Sequence, residues 1–120
     1  MMSDSDKLLK FENPVKGSGW ITRRSETLHR WKKRFYRLEN NILKIGEDEV
    51  LKDLHIVDLA DYEVKWLDKF EKRYAVLFTA TNKNVKYKQI YLGEETEAPG
   101  KELFDKLQQS LVCYALFVCF

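Results

Sequence analysis

The sequence predicts a mostly β domain closed by one C-terminal helix. Two observations carry that prediction. Between residues 20 and 92 the apolar residues recur at period two and are rich in aromatic and β-branched types, the signature of strands with one buried face. Beyond Gly93 the period changes. Leu103, Phe104, Leu107 and Leu111 then mark one stripe of a helix. The 120 residues suit a single domain with a modest core, and 44% hydrophobic with 33% charged residues is an ordinary globular balance.

In order along the chain, residues 1–15 read as a flexible leader ending at Asn13-Pro14. Strands are expected over 20–24, 31–39, 42–45, 55–64, 73–80 and 87–92. The breaks between them are supplied by Gly17-Ser18-Gly19, by Asn40-Asn41, and by Thr81-Asn82-Lys83-Asn84. Paired Asn residues tolerate the left-handed backbone of tight turns. The helix is expected over 97–111, opened by Thr96 or Ala98, with Pro99 accommodated in its first turn. Short strands on short turns imply an antiparallel sandwich or barrel capped by that helix. Residues 112–120 carry no charge and are about half the length needed to span a membrane, so they read as an apolar extension of the helix.

The charge is unevenly placed. From Lys16 to Arg37 eight cations face Glu26 alone, a window of +7. The remaining 13 cations and 18 carboxylates leave the rest of the chain at −5. Such concentration is the footprint of an anion-binding surface. Strand parity sharpens it. Ile21 and Arg23 share one face of their strand, and Lys32, Arg34, Tyr36 and Leu38 share one face of the next. If Ile21, Tyr36 and Leu38 fill the core, Arg23, Lys32 and Arg34 lie on the same inner face and must sit at its open end, because inward cations cannot be buried unpaired. A mouth with three convergent cations, beside a loop bearing Arg24 and Arg30, suits a multiply charged anion, since guanidinium matches phosphate bidentately.

Other chemistries find no support. His29 and His55 have no partners at metal or catalytic spacing, and no P-loop, GxSxG, HExxH or paired-carboxylate arrangement occurs, so neither catalysis nor a metal or cofactor is expected. Cys113 and Cys119 lack zinc or disulfide spacing and fit a reducing cytosol. The polar, acidic start MMSDSDKLLK is not a secretion signal. Trp20 and Trp66 read as packing aromatics. Nucleic acid ranks last among ligands, because the charge is confined to one hairpin and Tyr36, a candidate base-stacking ring, is expected to be buried.

Gly19-Trp20-Ile21-Thr22-Arg23, a loop, then Trp31-Lys32-Lys33-Arg34-Phe35-Tyr36-Arg37-Leu38 resembles the opening of a pleckstrin-homology (PH) domain. The resemblance continues through Asn41–Ile45, Val57-Asp58-Leu59 with Val64, the alternating Tyr74, Val76 and Phe78, and Gln89–Leu92, covering about residues 16–111. It implies a seven-stranded, strongly bent antiparallel sandwich with one corner capped by the helix. It also implies a phosphoinositide or other acidic-lipid site in which Arg23, Lys32 and Arg34 hold phosphates. Lys33 and the loop over 25–30 would then face the membrane, with Leu28, His29 and Trp31 touching the headgroup region and Arg24 and Arg30 adding to the headgroup site. Phosphatidic acid or phosphatidylserine are the simpler ligands. The implied protein is cytoplasmic and peripherally membrane-bound, the alternative being a protein-interaction adaptor on the same scaffold. Three departures stand out. Leu43-Lys44-Ile45 offers no phosphate-binding Tyr, Glu47-Asp48-Glu49 is acidic where strong binders place cations, and the helix lacks its usual Trp, with Leu103 or Phe104 in that slot.

Overall fold

The computed structural model describes residues 16–52 and 54–118, with side chains described as far as Leu111. Seven strands and a helix follow in order: β1 Lys16–Arg24, β2 Trp31–Glu39, β3 Ile42–Gly46, β4 His55–Asp58, β5 Tyr62–Phe70, β6 Arg73–Ala80, β7 Gln89–Glu94, and α1 Glu97–Val118. All pairings are antiparallel, in the spatial order β4-β3-β2-β1-β7-β6-β5. The mostly β class with one C-terminal helix is therefore as expected. The leader over 1–15 lies outside the described residues, as do the tail side chains beyond Leu111.

Two sub-sheets meet at a narrow seam. β1 pairs with β2 along nine residues but with β7 only at Thr22–Gly93 and Arg23–Leu92. The Thr22 hydroxyl also donates to the Gly93 carbonyl. Around this seam the two halves face one another across a single core. Ile21, Leu38, Leu43 and Ile45 come from one half, and Val76, Phe78, Ile90 and Leu92 from the other, all buried. α1 closes the open corner with Leu103 and Leu107, both fully buried. Leu103 takes the core place at the helix, while Phe104 lies at its edge against Trp66, ring centroids 5.7 Å apart. The helix is further tied to the β2–β3 turn by Ser110 Oγ donating to Asn41 Oδ1 at 3.0 Å.

Several boundaries differ from the sequence expectation. Gly17-Ser18-Gly19 is not a break but the first half of β1, paired with Leu38, Arg37 and Tyr36. A Cβ on Gly19 would stand 3.3 Å from Tyr36 Cε2, so the glycine gives the buried tyrosine its place. The single strand expected over 55–64 is two. Leu59–Asp61 forms a 3-10 turn whose cap, Asp58, accepts from the Ala60 N–H at 3.0 Å. Lastly, β5 continues to Phe70 and turns tightly, with Lys69, Glu71 and Lys72 all at positive φ, and β7 begins at Gln89 rather than at Tyr87. The Asn40-Asn41 turn is as read, with φ of 52° and 66°.

Register places three loops at one end of the molecule. Arg24 pairs with Trp31, Phe35 with Gly46, Ile45 with His55, and Arg23 with Leu92. The loops over 25–30, 47–54 and 81–88 therefore surround the same mouth.

Candidate anion-binding site

The parity argument is met residue by residue. Ile21, Tyr36 and Leu38 are buried, with Tyr36 5% exposed. Two positions further toward the loop, the same inner face carries Arg23 and its cross-strand partner Lys32. Arg34 stands across from Ile21. Arg23, Lys32 and Arg34 line one cavity of about 300 Å³, together with Ser25, Glu26, Thr27 and Tyr87. Among the described residues the ion pairs are Lys16–Glu39, Arg24–Glu71, Arg73–Glu95 and two within α1, so none of the three cations is ion-paired, although Glu26 lines the same cavity. Arg34 donates to the Lys33 carbonyl at 2.8 Å.

Arg23 is the anchor of the mouth. Its guanidinium lies over the Tyr87 ring at 4.9 Å and its Nη1 meets His55 Nδ1 at 2.9 Å. The His55 and Tyr87 rings are themselves edge-on at 4.1 Å. Burial lowers the Arg23 pKa from its usual value, only partly countered by Tyr87 and Glu26, and Arg34 adds to the lowering. A cation held partly out of water beside two others is an unfavourable charge arrangement until an anion arrives. The same environment pushes His55 down to about 4, through burial first and then Arg23 and Lys86. The imidazole is therefore neutral at physiological pH.

The remaining sequence candidates stand elsewhere. Arg24 points to the outer face, where Nε and Nη2 donate to Glu71 at 3.1 and 2.7 Å and the guanidinium lies 5.3 and 5.1 Å from the mutually stacked Phe70 and Tyr91 rings. Trp31 donates from Nε1 to the same carboxylate at 3.0 Å and lies under Arg73, so it is held at the sheet rather than free at the headgroup level. Lys33 lies over Trp20 at 5.1 Å, on the face opposite Lys32 and Arg34. Arg30 is exposed at the loop end, where its backbone brackets Ser25: the Ser25 N–H donates to the Arg30 carbonyl and the Arg30 N–H to Ser25 Oγ. A second depression, of about 340 Å³, flanks the hairpin and is lined by Arg24, His29, Lys86, Lys88 and others. Of its cations, Arg24 is held by Glu71 and Lys88 by the carbonyls of Lys83 and Val85, while Lys86 lies over the Tyr87 ring at 5.2 Å.

The acidic loop is compact. Asp48 accepts from the N–H groups of Val50 and Lys52, and Leu51 folds back over Gly46 so closely that a Cβ there would be 2.5 Å from Leu51 Cα. Glu47 and Glu49 remain exposed beside the mouth. Sequence reasoning missed His55 and Tyr87 as parts of the site. They lie 32 and 64 positions from Arg23, and only register brings them to it.

No protein-family model matches the chain, and no curated protein does. Solved structures do. The chain superposes on the solution structure of the human oxysterol-binding-protein-related protein 11 PH domain with a TM-score of 0.61 at 16% identity, covering 79% of this chain and 78% of that one. This protein has the pleckstrin-homology fold. A second human PH domain, from pleckstrin homology domain-containing family A member 5, gives 0.61 at 23% identity over 84% and 77% of the two chains. The DH/PH fragment of PDZRHOGEF, solved in complex with human RhoA, gives 0.65 at 15% identity. Here this PH-fold chain covers 82% of its own length but spans only 28% of the exchange-factor chain. Among the described residues no helix is long and apolar enough to cross a membrane.

Proposed function

We propose that this PH-fold chain is a phospholipid-binding module, recruited to membranes by holding anionic headgroups at the mouth of the β1–β2 hairpin. The observation that carries the reading is the convergence of Arg23, Lys32 and Arg34 on one cavity, with no carboxylate ion-paired to any of them among the described residues. The basic hairpin first attracts the domain to an anionic surface, each cation near it contributing about 1 kcal/mol in a salt-sensitive way. The three inner cations then chelate phosphate, each charge-assisted hydrogen bond contributing about 1.5–3 kcal/mol. Lys33, Arg30 and the exposed Leu28 face the surface from the hairpin, while Arg24 braces its outer side. The ligands are phosphoinositides, or phosphatidic acid and phosphatidylserine, and the bound state is peripheral on a cytoplasmic leaflet. Glu47 and Glu49 repel the most highly phosphorylated rings, which favours headgroups of lower charge.

Calorimetry with soluble inositol phosphates tests the pocket. Arg34→Ala is expected to weaken binding about tenfold or more without unfolding the domain, because Arg34 makes no side-chain ion pair among the described residues. Equal affinity in the variant would refute the assignment. A second reading, a protein-interaction adaptor with weak or no lipid binding, is favoured by the exposed Val50, Leu54 and Ile56 along the β4 edge and its approach. Lipid-independent binding of a partner that Ile56→Glu abolishes would support that reading.

A further inference from the structure

We infer that His55 is a positioning residue for the anion site: neutral, it holds a donor of Arg23, and protonated it releases that donor to the bound anion. This rests on the mouth being the headgroup site and deepens it, making anion capture proton-linked.

Arg23, His55 and Tyr87 come from three separate stretches of chain and form one cluster at the cavity wall. Arg23 Nη1 meets His55 Nδ1 at 2.9 Å, His55 meets Tyr87 edge-on at 4.1 Å, and Tyr87 lies against Arg23 at 4.9 Å. Arg23 and Tyr87 line the cavity, whereas His55 stands behind them and acts through Arg23. Since guanidinium has no acceptor, the Arg23–His55 contact requires Nδ1 to accept, and therefore an imidazole without a proton there. Protonation makes both ring nitrogens donors. The contact is then lost, and Arg23 Nη1 is free to turn to an oxyanion in the mouth.

The charges facing His55 determine when that happens. From β1 it meets Arg23, with Arg34 of β2 acting on that guanidinium. From the loop over 81–88 come Lys86 and Tyr87. On its other side Asp58, Asp61, Tyr62 and Lys86 line a cavity of about 230 Å³ with it, and Glu26 of the hairpin loop acts on its neighbours Arg23 and Tyr62. With the mouth empty, burial and the cations dominate and His55 is held down at about 4. A multiply charged anion between Arg23, Lys32 and Arg34 reverses the balance, offsetting the cations that oppose protonation. Whatever raises the imidazole pKa on binding must strengthen binding as pH falls, with at most one proton taken up.

The test uses inositol hexakissulfate, whose sulfate esters stay fully charged from pH 5 to 8, so that any pH dependence belongs to the protein. Calorimetry in two buffers of different ionisation heat gives affinity and proton uptake together. The wild type is expected to bind about three- to tenfold more tightly at pH 5.5 than at pH 7.5, with net proton uptake. His55→Gln is expected to lose most of the rise, its own affinity changing less than about twofold between the two pH values. His29→Gln, in the exposed loop, should retain it. NMR titration of the His55 ring in the wild type, with and without the probe, reads the same linkage without a substitution: its apparent pKa should rise on binding. Equal pH slopes in wild type and His55→Gln, an absence of proton uptake, or an unmoved His55 titration would overturn the inference while leaving the anion site intact. Failure of the probe to bind at any pH would overturn both.

Discussion

Acidification should weaken the fold through one residue before the carboxylates titrate. His55 falls from 6.5 to about 4 on folding, by burial first and then by Arg23 and Lys86. The sign follows from which state binds the proton. Between pH 6.5 and 4 the unfolded chain carries a protonated imidazole and the folded one does not. Stability is therefore full above pH 6.5, falls as pH drops, and levels off below 4. A fully transmitted shift of that size corresponds to about 3 kcal/mol, at 1.36 kcal/mol per unit. The imidazole is only half-buried, and solvent screening brings the expectation to about 1.5 kcal/mol. Urea unfolding followed by tryptophan fluorescence at pH 7.5, 6.5, 5.5 and 4.5 measures it. Wild type should lose about 1.5 kcal/mol across the series and His55→Gln less than half of that. Parallel curves for the two proteins would refute the reasoning, because the loss would then come from elsewhere in the chain. Glu71, held below its ordinary value by Arg24 and Trp31, contributes only at lower pH.

Other expectations are structural controls on the same account. Ser110→Ala strands the Asn41 carbonyl oxygen in a buried turn and should cost about 1–3 kcal/mol in urea unfolding, with headgroup affinity unchanged. Gly19→Ala presses a Cβ against buried Tyr36 and should cost about 1 kcal/mol or more. Gly17→Ala meets only the mobile end of Lys106 and should be nearly neutral by the same assay, although its Cβ contact is nominally closer. Glu71→Gln should alter Trp31 emission, because it removes the carboxylate that accepts from Nε1. Inositol phosphate affinity should stay within about twofold, since Arg24 does not line the mouth.

The hairpin was the most legible part of this chain. Alternation of Ile21 with Arg23, and of Lys32 and Arg34 with Tyr36 and Leu38, is a purely local pattern. One assumption about which face is buried placed the three cations at an open end, where they are found. The Asn40-Asn41 turn was equally plain, because few residue pairs accept two successive positive φ values. The missed features are those decided across the sheet. Gly17-Ser18-Gly19 reads as a break in isolation, yet pairs because Tyr36 and Leu38 on β2 supply the packing that glycine lacks. Val57-Asp58-Leu59 keeps its alternation through a change of direction, and Asp58 capping Ala60 was the one local clue. Arg24 looked like a ligand because its partner, Glu71, lies 47 positions away. His55 and Tyr87 were invisible for the same reason.

The central claim is tested most directly by sedimentation with liposomes of graded headgroup composition, comparing wild type with Lys32→Ala/Arg34→Ala. The account predicts salt-sensitive binding with a preference among phosphorylated headgroups that the double variant loses. Binding that tracks total negative charge alone and survives the double substitution, or no binding to any composition, would contradict it.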